Sequence, residues 1–83
     1  MIKIQLMTTT ACHLCEQAKE MLDHLFNADL QLKNTMIVEM VEIANDDALI
    51  EKYGIRIPVL LCREKELAWP FELPELHQWL LQE

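Results

Sequence analysis

The run Cys12-His13-Leu14-Cys15 holds the residues of this 83-residue chain best suited to chemistry. Two cysteines separated by two residues serve thiol–disulfide exchange, and the same spacing occurs in metal sites. Exchange needs one accessible thiolate to attack a disulfide and a second, sheltered thiol to release the product from the first. On a helix, three residues make nearly one turn, which brings the second sulfur back to the first. A helix start also presents unpaired N–H groups and the positive end of the macrodipole, and both favour a thiolate. His13, between the two, can tune the pair as an imidazolium or ligate a metal as a neutral ring. An exposed histidine at a helix start is the plainer alternative.

These cysteines need a strand to end before them and a helix to begin at them. Residues 1–7 set Ile2, Ile4 and Leu6 against Lys3, Gln5 and Met7, a period of two that predicts a strand. Thr8, Thr9 and Thr10 follow, as hydroxyl residues that cap helix starts. From Cys12 to about Asn27, Leu14, Ala18, Met21, Leu22, Leu25 and Phe26 recur at helical spacing, with Lys19, Glu20 and Asp23 opposite. Residues 35–43 predict a second strand. Asn45-Asp46-Asp47 marks a helix start, with Tyr53 closing that helix and Gly54 as its stop. Ile55 to Cys62 predicts a third strand, Arg63-Glu64-Lys65-Glu66 a turn, and Leu67–Trp69 a short fourth strand. Pro74 suits the first turn of a last helix carrying Leu76, Trp79 and Leu80. The expected order is βαβαββα. It implies an α/β domain spanning residues 1–83, with a four-stranded mixed sheet flanked by helices.

Composition limits the partners. A net charge of −7, with seven scattered Lys and Arg, argues against nucleic acid and against an anionic membrane surface. The first residues are too short and interrupted for a signal peptide, and no apolar run approaches the roughly 20 residues of a membrane span. A cytoplasmic monomer is expected. In that reducing compartment a close cysteine pair points to redox or metal chemistry rather than to a structural bridge.

Pro58 interrupts an apolar run. Proline cannot donate to a sheet ladder, so it belongs at a strand's first residue, its edge or a bulge. Cys12-x-x-Cys15 opening a helix after a first strand, with Ile57-Pro58 opening the third, resembles the thioredoxin fold. The short chain is similar to its glutaredoxin branch. Tyr53-Gly54-Ile55-Arg56-Ile57-Pro58-Val59-Leu60 and Glu66-Leu67-Ala68-Trp69-Pro70-Phe71 resemble a bacterial glutaredoxin-like family over essentially the whole chain. The resemblance implies Cys12 as nucleophile and Cys15 as resolving thiol. It implies a cis Ile57–Pro58 bond facing the pair, with the Ile57 backbone, Pro58, His13 and Thr10 contributing to substrate binding. A disulfide-bearing protein or a low-molecular-weight thiol would be the partner, and the reductant is not named by the sequence. No resident cofactor is implied, and glutathione is admitted as a co-substrate. The chain departs from the usual pattern in having His13-Leu14 where Pro-Tyr is typical. Trp69-Pro70-Phe71-Glu72 stands near the usual Gly-Gly turn and Asp, which leaves glutathione without its ordinary γ-glutamyl holder.

Two other classes stay open. Two thiolates at a helix start, with or without His13, suit a soft metal ion. Against this, a structural zinc site takes four ligands and no second Cys/His pair is present. A non-catalytic interaction module on the same fold is the other. Cys62 is expected in the core, His24 and His77 in solvent, and Trp69 and Trp79 against the core. Glu39 and Glu42 fall on opposite faces of a strand and make no carboxylate pair.

Overall fold

The structure, a computed structural model, describes residues 1–82. The chain runs β1 (Ile2–Thr8), α1 (His13–Ala28), α2 (Leu30–Thr35), β2 (Met36–Glu42), α3 (Asp47–Tyr53), β3 (Val59–Cys62), β4 (Lys65–Ala68) and α4 (Leu73–Leu81). The strands form one sheet in the order β2-β1-β3-β4. β1 pairs parallel with β2, while β1–β3 and β3–β4 are antiparallel, so the expected mixed sheet is present.

Alternation along the central strands sends side chains into two cores. Ile4 and Leu6 of β1, Leu60 and Cys62 of β3, and Met36 of β2 meet Ala18, Leu22 and Leu25 of α1, Leu32 of α2, and Leu76 and Leu80 of α4. Met7 and Val59 turn to the other face, against Tyr53 of α3 and Ile43. Met7, expected on the polar side of β1, is therefore core. The helices α1, α2 and α4 cover the first face, whereas the second is covered only around Met7 and Val59, and Lys3, Ile37 and Glu39 of the parallel pair stay exposed there.

Several boundaries differ from expectation. α2 was not anticipated. Asp29 starts it by accepting the N–H groups of Gln31 and Leu32 at 3.1 and 3.4 Å. Thr8, Thr9 and Thr10 do not cap α1, because Cys12 does. β3 starts at Val59 rather than Ile55. The N–H groups of Arg56 and Ile57 still donate to the Tyr53 carbonyl, so residues 55–57 form a turn and Ile55 lies in solvent. β4 starts at Lys65, leaving Arg63-Glu64 as the turn. Gly54 ends α3 without a left-handed backbone, its φ being −50°. Space explains the glycine, since a Cβ there would lie 2.5 Å from the Ile50 carbonyl oxygen. The Ile57–Pro58 and Trp69–Pro70 peptides are both cis. No helix among the described residues is long and apolar enough to cross a membrane.

His77 is not simply solvated. Its Nε2 lies 3.3 Å from Asp29 Oδ2, tying α4 to the start of α2. That hydrogen bond, chiefly, holds the Asp29 carboxyl below its ordinary value of 3.8, with the two backbone N–H groups adding to it against partial desolvation. A carboxyl lowered by folding contributes stability above its ordinary value, and the contribution is lost as pH falls through the folded value. The stability gap between wild type and Asp29→Asn should therefore shrink as pH drops below about 4. Urea midpoints between pH 7 and pH 2 measure this, and a gap constant with pH would contradict it.

Candidate active site

β1 ends at Thr8, and four residues later the chain enters α1 at the cysteine pair. Cys12 is the N-cap, with extended backbone (φ −94°, ψ 103°), and its Sγ accepts the Cys15 N–H at 3.2 Å. The two sulfurs lie at disulfide-bonding distance, with Cα atoms 5.2 Å apart. Cys12 is half-buried, whereas Cys15 is 2% exposed beneath the first turn. One sulfur is thus open to a reactant and the other shielded from it.

The loop before Cys12 is held from a distant strand. Parallel register sets Thr8 opposite Glu42. From there the Glu42 carboxylate accepts the Thr10 N–H at 3.0 Å, the Thr10 hydroxyl at 3.1 Å and the Ala44 N–H at 3.0 Å. The Ala44 N–H foremost, then the Thr9 hydroxyl and the two Thr10 donors, hold the Glu42 carboxyl below the usual glutamate range. Between the clamp and the cap, Ala11 takes a φ of 63°. That left-handed backbone costs a residue with a Cβ roughly 1–2 kcal/mol, so the surrounding bonds must fix it.

A groove of about 550 Å³ opens beside Cys12. Its walls are the Thr8–Cys12 segment, Cys15, Glu16, Lys19 and Glu20 on α1, and Met40 and Glu42 on β2. Of the residues expected to bind substrate, Thr10 lines this groove, with both its donors spent on Glu42. His13 does not. Its ring is 89% exposed and lies 3.4 Å from the Glu16 carboxylate. Ile57 and Pro58 are also absent from the lining. Ile57 packs against the core around Tyr53, and the Pro58 carbonyl accepts the Trp69 N–H at 3.1 Å.

Cys62 is 1% exposed in the main core, His24 is exposed, and Trp69 and Trp79 pack on the core edge. Trp69 meets Phe71 edge-on at 5.0 Å. Glu39 bonds Gln5 at 2.9 Å, well apart in role from Glu42. Among the described residues no group of three or more His, Cys, Asp or Glu side chains gathers as metal ligands would. Glu42 and the groove carboxylates were missed in the sequence, where the strand register that joins residues 10 and 42 is not written.

Residues 3–81 match the family described as Glutaredoxin-like domain (DUF836). The X-ray structure of the structural-genomics target protein XcR50 from X. campestris is 36% identical, with a TM-score of 0.78 over 96% of this chain and 97% of that one. Its solution structure is 37% identical, with a TM-score of 0.77 over 100% of this chain and 96% of that one. A malarial protein at 11% identity and TM-score 0.64, over 99% of this chain and 94% of that one, shares the fold. No curated protein matches the chain.

Proposed function

The chain belongs to the glutaredoxin-like domain family, and from that premise we propose that it exchanges thiols for disulfides through Cys12 and Cys15. The supporting observation is the Cys15 N–H aimed at Cys12 Sγ at 3.2 Å, at the N-terminus of a 16-residue helix. In the reduced state the same N–H and the macrodipole favour the Cys12 thiolate. The thiolate attacks one sulfur of a disulfide, whose S–S bond breaks, and the departing thiolate takes a proton from solvent. Cys12 then carries a mixed disulfide. Cys15, deprotonated, attacks Cys12 Sγ and releases the second thiolate. The substrate gains two electrons and the pair loses two, so a further dithiol or two thiols must reduce it again. Glutathione is one source of those thiols. Thr10 lines the groove beside Cys12, and a substrate backbone following the family pattern would run past Ile57 and Pro58, outside that lining. The partner is a disulfide-bearing protein or a low-molecular-weight thiol, met in the cytoplasm by a monomer.

Equilibration in glutathione redox buffers, acid quench and mass analysis of the pair test this reading. A Cys12–Cys15 midpoint between roughly −300 and −120 mV is expected, the span of dithiol redox proteins. A pair that stays dithiol across the whole series would overturn it.

A further inference from the structure

The groove beside Cys12 has a charge pattern that discriminates among disulfides. Three carboxylates line it, those of Glu16, Glu20 and Glu42. Glu16 and Glu20 are four apart on α1 and so share a helix face. Lys19 is the one cation among the lining residues, and its Nζ is held by Asp23 Oδ1 at 2.7 Å. Glu42 keeps its charge firmly, its carboxyl being held below the usual range by the Ala44 N–H and the threonines. Besides the two cysteines, the rest of the wall is Thr8, Thr9, Thr10, Ala11 and Met40, the last 46% exposed. An incoming anion finds no uncommitted cation among the lining residues, whereas a cation meets Glu16 and Glu20 from α1, the former with the His13 ring 3.4 Å away, and Glu42 from β2.

We propose that this groove selects disulfides flanked by cationic side chains, as in a Lys- or Arg-bearing segment of a partner protein, over anionic ones such as glutathione disulfide. The proposal rests on the thiol-exchange reading above. Steering by the carboxylates raises the local concentration of a cationic substrate and lowers that of an anionic one. The bond changes are those already given, with Cys12 Sγ attacking and the substrate thiolate leaving. Charge alters how often the encounter occurs.

Two synthetic peptides closed by one disulfide, identical except for Lys or Glu beside each cysteine, provide the probes. Reaction of the reduced protein with each is quenched in acid and counted by mass. Each rate is divided by that of neutral dithiothreitol with the same peptide, to remove intrinsic reactivity. At about 10 mM ionic strength, where the Debye length is about 30 Å, the Lys peptide should react about tenfold faster. At about 1 M salt, with a Debye length of about 3 Å, the ratio should fall within about twofold. The double variant Glu16→Gln, Glu20→Gln changes two exposed helix residues and should cut the low-salt ratio to about threefold. Its far-ultraviolet circular dichroism checks that the fold persists. Equal or inverted rates at low salt would overturn the selectivity and leave thiol exchange standing. Failure of both peptides and of glutathione disulfide to react would remove the exchange reading, and the selectivity with it.

Discussion

Cys12→Ser should stop disulfide exchange, with a loss on the order of 10³-fold or more, while Cys15→Ser should leave the first step nearly intact. A serine hydroxyl is not ionised near neutral pH, so the variant has no thiolate to attack with. Cys15 offers no replacement, because at 2% exposure it lies beneath the first turn of α1, away from any incoming disulfide. Its own loss removes the resolving step alone, since the N–H that donates to Cys12 Sγ belongs to the backbone and survives the substitution. Reduced Cys15→Ser mixed with a disulfide should therefore accumulate a one-to-one adduct on Cys12. The initial rate should stay within about threefold of wild type, because the attacking sulfur is unchanged. Peptide mapping after acid quench locates the adduct. Cys62, buried in the main core, should remain unmodified throughout. Equal inactivity of the two variants, or an adduct on Cys15, would contradict the assignment of roles.

The meeting of Cys12 and Cys15 at a helix start could be read from residue types because it rests on local geometry. A strand, a tight turn and a helix N-terminus lie within twenty consecutive residues, and each announces itself by periodicity. The spacing of Ala18, Leu22 and Leu25 located α1, and all three are buried against the sheet. What escaped was either too short or too distant. α2 has six residues, less than two turns, which a period of 3.6 cannot reveal. Its clearest signal was Asp29, whose side chain takes the first N–H groups of the helix. Ile55 misled in the opposite direction. A β-branched residue beside Ile57 suggested strand, yet Tyr53 still accepts the next two N–H groups and the ladder begins after Pro58.

Glu42 is the most instructive omission. It falls on the opposite face of β2 from Glu39, and the two bond different partners, Thr10 and Gln5. Its service to Thr10 crosses 32 residues and exists because β1 and β2 run parallel with Thr8 opposite Glu42. Sequence shows that both strands exist and leaves their register open. The electrostatics of the groove follow from that same register, because β2 brings Glu42 and Met40 to face α1.

The second large effect is in the core that holds this register. Leu60 is completely buried at the centre of the sheet, opposite Leu6 on one side and Leu67 on the other. Above this row lie Leu22 of α1 and Leu76 and Leu80 of α4, in the same cluster. A rigid strand flanked by two others cannot close over a missing isobutyl group, so Leu60→Ala should cost about 3–4 kcal/mol. An 83-residue domain has roughly 4–12 kcal/mol in all. The variant should therefore lose a large share of its stability, with a melting point lower by roughly 12–30 °C. Urea unfolding followed by tryptophan fluorescence measures the loss, since Trp69 and Trp79 both border this core. Leu81→Ala, at a side chain 57% exposed, is the matched control and should stay within about 0.5 kcal/mol. Leu60 lies two residues after Pro58, and the strand it anchors pairs with the one that ends before Cys12. Exchange by Leu60→Ala should accordingly persist at low temperature, where the sheet is intact, and fail together with the fold on warming. A loss below about 1 kcal/mol would mean that the three-strand row does not carry the sheet, whatever the burial of its members.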